Sequence, residues 1–274
     1  MISKRSIDIV SSFAVKIVLI ITIIFLFFPV IISITFAFDP RNFPTFPPIG
    51  FTLKWFENFF RMRTFIEGLK WSLIIAITAS GISICIAIPT SFAITRNEFH
   101  GKNILLAAFQ SPLIVPGVVA GVAFLTFFRG FLNIYSALTN LLIAHTILTF
   151  PYTLRTIGAA IAGLDRTLEE AAYSLGANPL SVFRHVIIPQ IIPAMVSSFV
   201  FALAISLDDV AISVFLTDPY VYTFPVTLMG YMKVTFDPTI GVASIILLVL
   251  TTIIILIIDR LVGIDKFAAF GIQR

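Results

Sequence analysis

Two adjacent carboxylates, Asp208 and Asp209, interrupt the apolar run 190–216 (QIIPAMVSSFVFALAISLDDVAISVFL). A carboxylate at membrane depth is costly, so it should face protein or a water-filled cavity, where an acidic pair would favour a cation. Tyr220, Tyr222 and Phe224 follow closely. Such aromatics either add cation–π contacts or serve as interfacial anchors. Two placements of the pair stay open. About 19 residues separate Pro189 from Asp208, roughly 28 Å of helix at about 1.5 Å per residue. A straight helix puts the pair at its outer end, merely marking where the helix stops. A helix that bends or unwinds earlier puts the pair along a pathway, with Asp209 slightly favoured over Asp208 as the lining group. His145 is another ionisable residue in an apolar run, and an interhelical hydrogen bond explains it more simply than a proton relay.

Other chemistries find little support. The histidines at 100, 145 and 185 are scattered, so neither a metal cluster nor a Ser/His/Asp arrangement emerges, and no catalytic residue is expected. The single cysteine, Cys85, lies inside an apolar run, which excludes an internal disulfide and a Cys-based metal site. The one Gly-Lys pair, Gly101–Lys102, is followed by Asn103 and has Arg96 where the first P-loop glycine belongs. The chain is therefore expected to bind no nucleotide itself.

The elements that must position these residues are membrane helices. Of the 274 residues, 58% are hydrophobic and 12% charged, against about a quarter charged in a soluble domain. Mean hydropathy is +1.05. The net charge of +4 is spread over termini and loops, which points to membrane orientation and not to nucleic acid. Charged residues cut the chain into uncharged intervals, six of which reach the roughly 20 residues of a spanning helix. They are 17–38, 71–95, 103–128, 130–154, 186–207 and 238–258, within a single transmembrane domain over 1–274. The first is too long for a signal h-region and lacks a cleavage site, so it is expected to be retained. The interval 219–232, short and carrying two prolines, reads as re-entrant or interfacial. With the N-terminus inside, eleven basic residues fall on inner segments and seven on outer ones, predicting N-in and C-in.

The first outer loop, about 39–69, opens with a proline cluster that forbids regular structure. Its aromatic second part suits the membrane surface, with Trp55 and Trp71 as belt residues, and a docking surface for an external partner is the less favoured alternative. In the third interval Pro112 and Pro116 are expected to break the helix, and Gly117 and Gly121 make a small-xxx-small face for close packing.

Between spans four and five, residues 164–187 read as two short helices held outside the bilayer by their charges. Thr167 and Glu170 have capping-box spacing. Leu168, Ala171, Ala172 and Leu175 recur at helical spacing as one apolar face. Gly176 stands where a left-handed residue would end the first helix. Asn178 and Pro179 then read as N-cap and first residue of the second.

The stretch EAAYSLGANPLSVFRHVIIP has the spacing Glu170-Ala171-Ala172, Gly176, Val186, Ile188-Pro189. It resembles the EAA loop of the membrane subunits of binding-protein-dependent ABC importers, with Val186 and Ile188 replacing the family's usual Ile and Leu. The run SLDDVAISVFLTDPYVYTFPVTLMGYMK is similar to spermidine/putrescine-type permeases, as are SPLIVPGVVAGVAFL and HTILTFPYTLRTI. The resemblance covers nearly the whole chain. It implies an all-α type I ABC importer permease of six spans in a bacterial inner (plasma) membrane. By that resemblance Glu170, Ala171, Ala172 and Gly176 carry the contact to the ATPase, although Glu170 can instead simply cap its own helix. Asp208, Asp209 and Tyr222 are the substrate-pathway candidates. The implied partners are two ATP-binding subunits that hold ATP and Mg, a second permease, an external solute-binding protein and membrane lipid. An ion-gradient-driven transporter or channel for a cation is the competing class, in which an EAA-like loop would have no role. An intramembrane enzyme is the third.

Overall fold

The computed structural model describes residues 4–43 and 45–262, with backbone alone at 4–14, 259, 261 and 262. Lys266 and Arg274, and with them the inner placement of the C-terminus, lie outside the described residues. Among the described residues every regular element is helical. Five helices are long and apolar enough to cross a membrane, or six if one bent pair counts as a single span. Contacts divide the chain into two compact units, one made of residues up to 63 with 230–250, the other of 64–229 with the chain from 251 onward.

In the first unit α1 (Lys4–Ala37) leads into an irregular loop, and α2 (Lys54–Arg61) follows it. The loop is organised around Asp39, whose carboxylate has no solvent-exposed surface. Arg41 Nε donates to both Asp39 oxygens at 2.9 and 3.1 Å, and the Arg41 backbone N–H donates to Oδ1 at 3.0 Å. The guanidinium also reaches the carbonyls of Thr45 and Pro47. These bonds hold the Asp39 carboxyl down at about pKa 2, against an ordinary 3.8. Trp55 does not act as a belt anchor as expected. It is buried, with Nε1 donating to the Asp39 carbonyl at 2.7 Å. A Cβ added at Gly241 would lie 2.7 Å from the Ser33 carbonyl oxygen, so only glycine permits that approach of the two backbones.

The second unit begins with α3 (Arg63–Arg96). Next come α4 (Lys102–Gln110), extended by a tight turn to Leu113, and α5 (Gly117–Thr126), extended by a wide turn to Phe131. The pair is bent by 104°, which is the break expected from Pro112 and Pro116. Then follow α6 (Ala137–Ala162), α7 (Arg166–Ser174) and α8 (Pro179–Val182). The last runs through a wide turn over 183–187 into α9 (Ile188–Asp208). A short α10 (Ser213–Leu216) and α11 (Phe224–Val234) lead to α12 (Thr239–Val262). α6 and α9 share the most extensive interface. Hydroxyls join neighbouring helices: Ser83 bonds Thr153 at 2.8 Å, and Ser91 Oγ donates to the Leu154 carbonyl at 3.1 Å. Such bonds and tight packing associate helices where lipid removes the hydrophobic drive between them.

Several helix limits differ from the uncharged intervals. α3 starts at Arg63, ahead of the interval 71–95, and takes in Glu67 and Lys70, an i,i+3 pair 3.7 Å apart. α6 covers 137–162 where 130–154 was expected, so Arg155 lies within the helix. Charges mark polar positions, not helix ends, because long basic side chains can reach toward an interface from within a helix. The interval 219–232 yields α11, entered through a turn in which the Asp218 carboxylate accepts from the backbone N–H of Tyr220 and Val221.

Candidate functional site

α9 ends at Asp208, and Asp209 takes an extended conformation (φ −69°, ψ 121°). The two placements open from sequence are therefore compatible: the pair marks a helix end, and one member also faces a cavity. The Asp208 side chain is exposed, whereas that of Asp209 is only 9% exposed. Asp209 caps the next turn. Its Oδ2 accepts from the Ser213 backbone N–H and from Ser213 Oγ, both at 2.9 Å. An aspartate N-cap satisfies donors that a helix start otherwise leaves orphaned.

Ser213 continues the network inward. Its hydroxyl donates to Asp209 and lies 2.9 Å from Nε2 of the fully buried His145, whose Nδ1 lies 2.7 Å from Ser206 Oγ. With Ser213 already donating, the bonding pattern places the imidazole proton on Nε2 and makes Nδ1 the acceptor for Ser206. His145 thus ties α6 to α9 and to the capped turn, the interhelical role expected of it. Sequence reasoning missed Ser206 and Ser213. Their spacing from Asp209 (three residues before and four after) is the signal that could have found them.

Asp209 opens onto a cavity of about 330 Å³. Ser111, Pro112, Val115, Gly117, Ala120, Ala123 and Phe124 line it from the bent pair, Ile147 and Leu148 from α6, and Ile212 from the capped turn. Such a volume lies at the lower end of the roughly 300–1,000 Å³ usual for small-molecule sites. Among the described residues Asp209 is its one charged lining residue. Asp208 and Tyr222 do not line it, and Tyr222 is half-buried elsewhere. The glycines bring the walls together: a Cβ at Gly117 would lie 2.8 Å from Ala211 Cβ, and one at Gly121 would lie 2.5 Å from the Phe215 ring.

The loop 164–187 forms the two expected helices with one corrected cap. Asp165, not Thr167, caps α7, accepting from the Thr167 backbone N–H at 2.9 Å. Aspartate and threonine are both good caps, and spacing alone could not choose between them. Glu170 therefore does not close a capping box, and its side chain is exposed. Gly176 has φ +86°. Its N–H bonds the Tyr173 carbonyl, and the Ala177 N–H bonds the Ala172 carbonyl, the paired closure of a left-handed helix end. Asn178 accepts from the Ser181 N–H at 2.8 Å to start α8. Ala171 is exposed and Ala172 half-buried, while Leu168 and Leu175 are 49% and 89% exposed. The helix therefore presents Glu170 and an apolar strip outward.

The sequence pattern described as "Binding-protein-dependent transport system inner membrane component" matches residues 83–264. The spermidine/putrescine transport system permease protein PotC of Escherichia coli (strain K12) is 28% identical, over 88% of this chain and 90% of that protein. The putrescine transport system permease protein PotI of the same strain is 26% identical, over 85% and 84%. Among solved structures, a chain of a bacterial ABC transporter involved in import of the acidic polysaccharide alginate aligns with a TM-score of 0.70. It is 14% identical, and the match covers 96% of this chain and 98% of that one. A chain of the inward-facing MetNI methionine ABC transporter aligns at 0.62 with 17% identity, covering 74% and 96%.

Proposed function

Because this chain belongs to the family of binding-protein-dependent transport system inner membrane components, as a multi-pass inner-membrane permease subunit of an ABC importer with the type I fold, we propose that it admits a small amine-bearing solute past Asp209. Fold alone does not choose the solute, since the same architecture carries an acidic polysaccharide importer and a methionine importer. The observation that carries the choice is the lone carboxylate in an otherwise uncharged cavity at the bend of the third span. An ammonium group is the complementary charge, and the naming of PotC and PotI for spermidine and putrescine supports a polyamine.

In this reading Glu170, Ala171, Ala172 and Gly176 form the contact to the ATPase, and ATP and Mg are held by two partner ATP-binding subunits. A paralogous second permease completes the pathway, and a solute-binding protein delivers the cargo from outside. The exposed Glu170 and the apolar strip beside it support the docking role.

The test is uptake and ATP hydrolysis by the reconstituted complex with its binding protein. The solute panel runs from putrescine and spermidine to a cationic amino acid and an aminophosphonate. Stimulation by a polyamine, abolished by Asp209→Asn, is the expected outcome. Stimulation only by a solute without an amine would sink the substrate assignment, and gradient-driven uptake without the ATPase would sink the importer.

A further inference from the structure

Arg96, the last residue of α3, and Glu169, in the first turn of α7, form an ion pair across 73 positions of sequence. Their side chains are only 10% and 12% exposed. Arg96 Nη2 donates to Glu169 Oε1, and the buried Arg96 Nε has no partner among the described residues, so this one pair holds the guanidinium. The pair differs in kind from Arg61–Glu57, whose side chains are 77% and 64% exposed and which is of the sort that contributes little. Apolar contacts reinforce it. Phe92 meets the Phe183 ring edge-on at 5.4 Å, and Ile84, Ala87 and Ile88 pack with Ile157, Ile161 and Ile191.

The far half of α3 touches the start of α11 and the cavity turn. Ser72 Oγ accepts from the Phe224 N–H at 2.8 Å, and a Cβ at Gly68 would lie 3.2 Å from the Phe224 Cα. Ile75 is buried in one cluster with Ile212 and Leu216, the residues of the turn that Asp209 caps. From Ser72 to Arg96 the helix runs about 36 Å, at about 1.5 Å per residue. The helix continues through an internal proline, Pro89, and holds α7 at one end and the cavity wall at the other.

We propose that α3 is the rod that carries movement of α7 to the Asp209 turn, with Arg96–Glu169 as its fixed joint and Arg96 as a positioning residue for coupling. This rests on the permease reading above. The physical ground is that a buried pair resists separation, because parting it leaves each charge desolvated and uncompensated. When α7 moves with a partner subunit, Arg96 must follow, and the buried residues of α3, which run from Phe65 to Ile94 on both sides of Pro89, pass the displacement on.

The test uses the complete complex in proteoliposomes with Cys85→Ala and an environment-sensitive fluorophore at Tyr220→Cys, a position 83% exposed beside the cavity turn. The readout is the fluorescence change on adding ATP and Mg, which needs no transported solute. Arg96→Glu and Glu169→Arg should each keep the ATPase subunits bound while cutting the response about tenfold, within the range by which residues along a coupling path alter coupling. The double reversal Arg96→Glu/Glu169→Arg should recover it to within about threefold. Glu169→Gln, which keeps the shape and removes the charge, guards against misfolding of the reversals and should lose most of the response. A full response in Glu169→Gln or in the single reversals, or no recovery in the double, overturns the joint. Glu170→Ala separates the two readings. If it releases the ATPase while Arg96 variants respond like wild type, the coupling loop stands and the rod falls. If the unmutated complex neither binds an ATPase nor responds to ATP, both fall.

Discussion

Asp209 combines two roles that a single substitution can separate. Its carboxylate caps the turn 210–216, and its charge faces the cavity. Asparagine is also a good cap, so Asp209→Asn should leave thermal stability within about 1 kcal/mol of wild type while removing transport of a diamine. Asp209→Ala should lose both, with about 1–2 kcal/mol of destabilisation read by a thermal melt in detergent. Equal transport by both variants and wild type would remove the charge from the mechanism. Gly176 is simpler: at φ +86° a Cβ is strained, so Gly176→Ala should cost about 1 kcal/mol locally and raise protease sensitivity at 174–179. Asp209 and Gly176 could be picked out from sequence because each breaks a local rule: a charge in an apolar run, a glycine at the end of a helical period. Ser206 and Ser213 carry only the weaker signal of their spacing from Asp209, since serine is common in membrane helices, and the Arg96–Glu169 pair carries none, since it joins positions far apart in the chain.

At the scale of elements, the loop 38–53 is held by hydrogen bonds and the bent third span by close packing at glycine. In the loop, the buried Asp39 carboxylate gathers Arg41 and the Trp55 indole into one network. Its pKa is lowered from 3.8 to about 2, so ionised Asp39 favours the folded loop. That contribution is fully present above about pH 4 and is lost as pH falls through about 2. With Trp71→Phe leaving Trp55 as the sole reporter, its emission should hold steady from neutral pH to about 4 and shift red toward pH 2. Asp39→Asn should show the altered emission at every pH. In the bent span, Gly121→Ala should push on the Phe215 ring and on the Ala211 carbonyl 3.1 Å away, destabilising by about 1–3 kcal/mol and narrowing the cavity. An unchanged melt and unchanged transport would contradict that close packing. The break and the glycine face were readable because proline and glycine act locally. The fate of Trp55 was not, because its partner is a backbone carbonyl 16 residues away.

At the scale of the whole molecule, the number of long apolar segments followed directly from hydropathy, while helix ends did not, because helices extend through flanking charges. Orientation can be checked by labelling in a Cys85→Ser background with a membrane-impermeant maleimide. Phe43→Cys, 70% exposed, should react in intact cells, and Leu175→Cys, 89% exposed, only after permeabilisation. The reverse pattern would invert the topology. The 104° bend also bears on how the protein is made. Residues 102–113 and 117–131 give arms of about 18 and 22 Å at about 1.5 Å per residue, each short of a hydrocarbon core of about 30 Å. Neither arm is long enough to leave the translocon for lipid by itself. The elements that pack against it, α6 and α10, both follow it in the chain, so this segment is expected to integrate fully only once they have been synthesised.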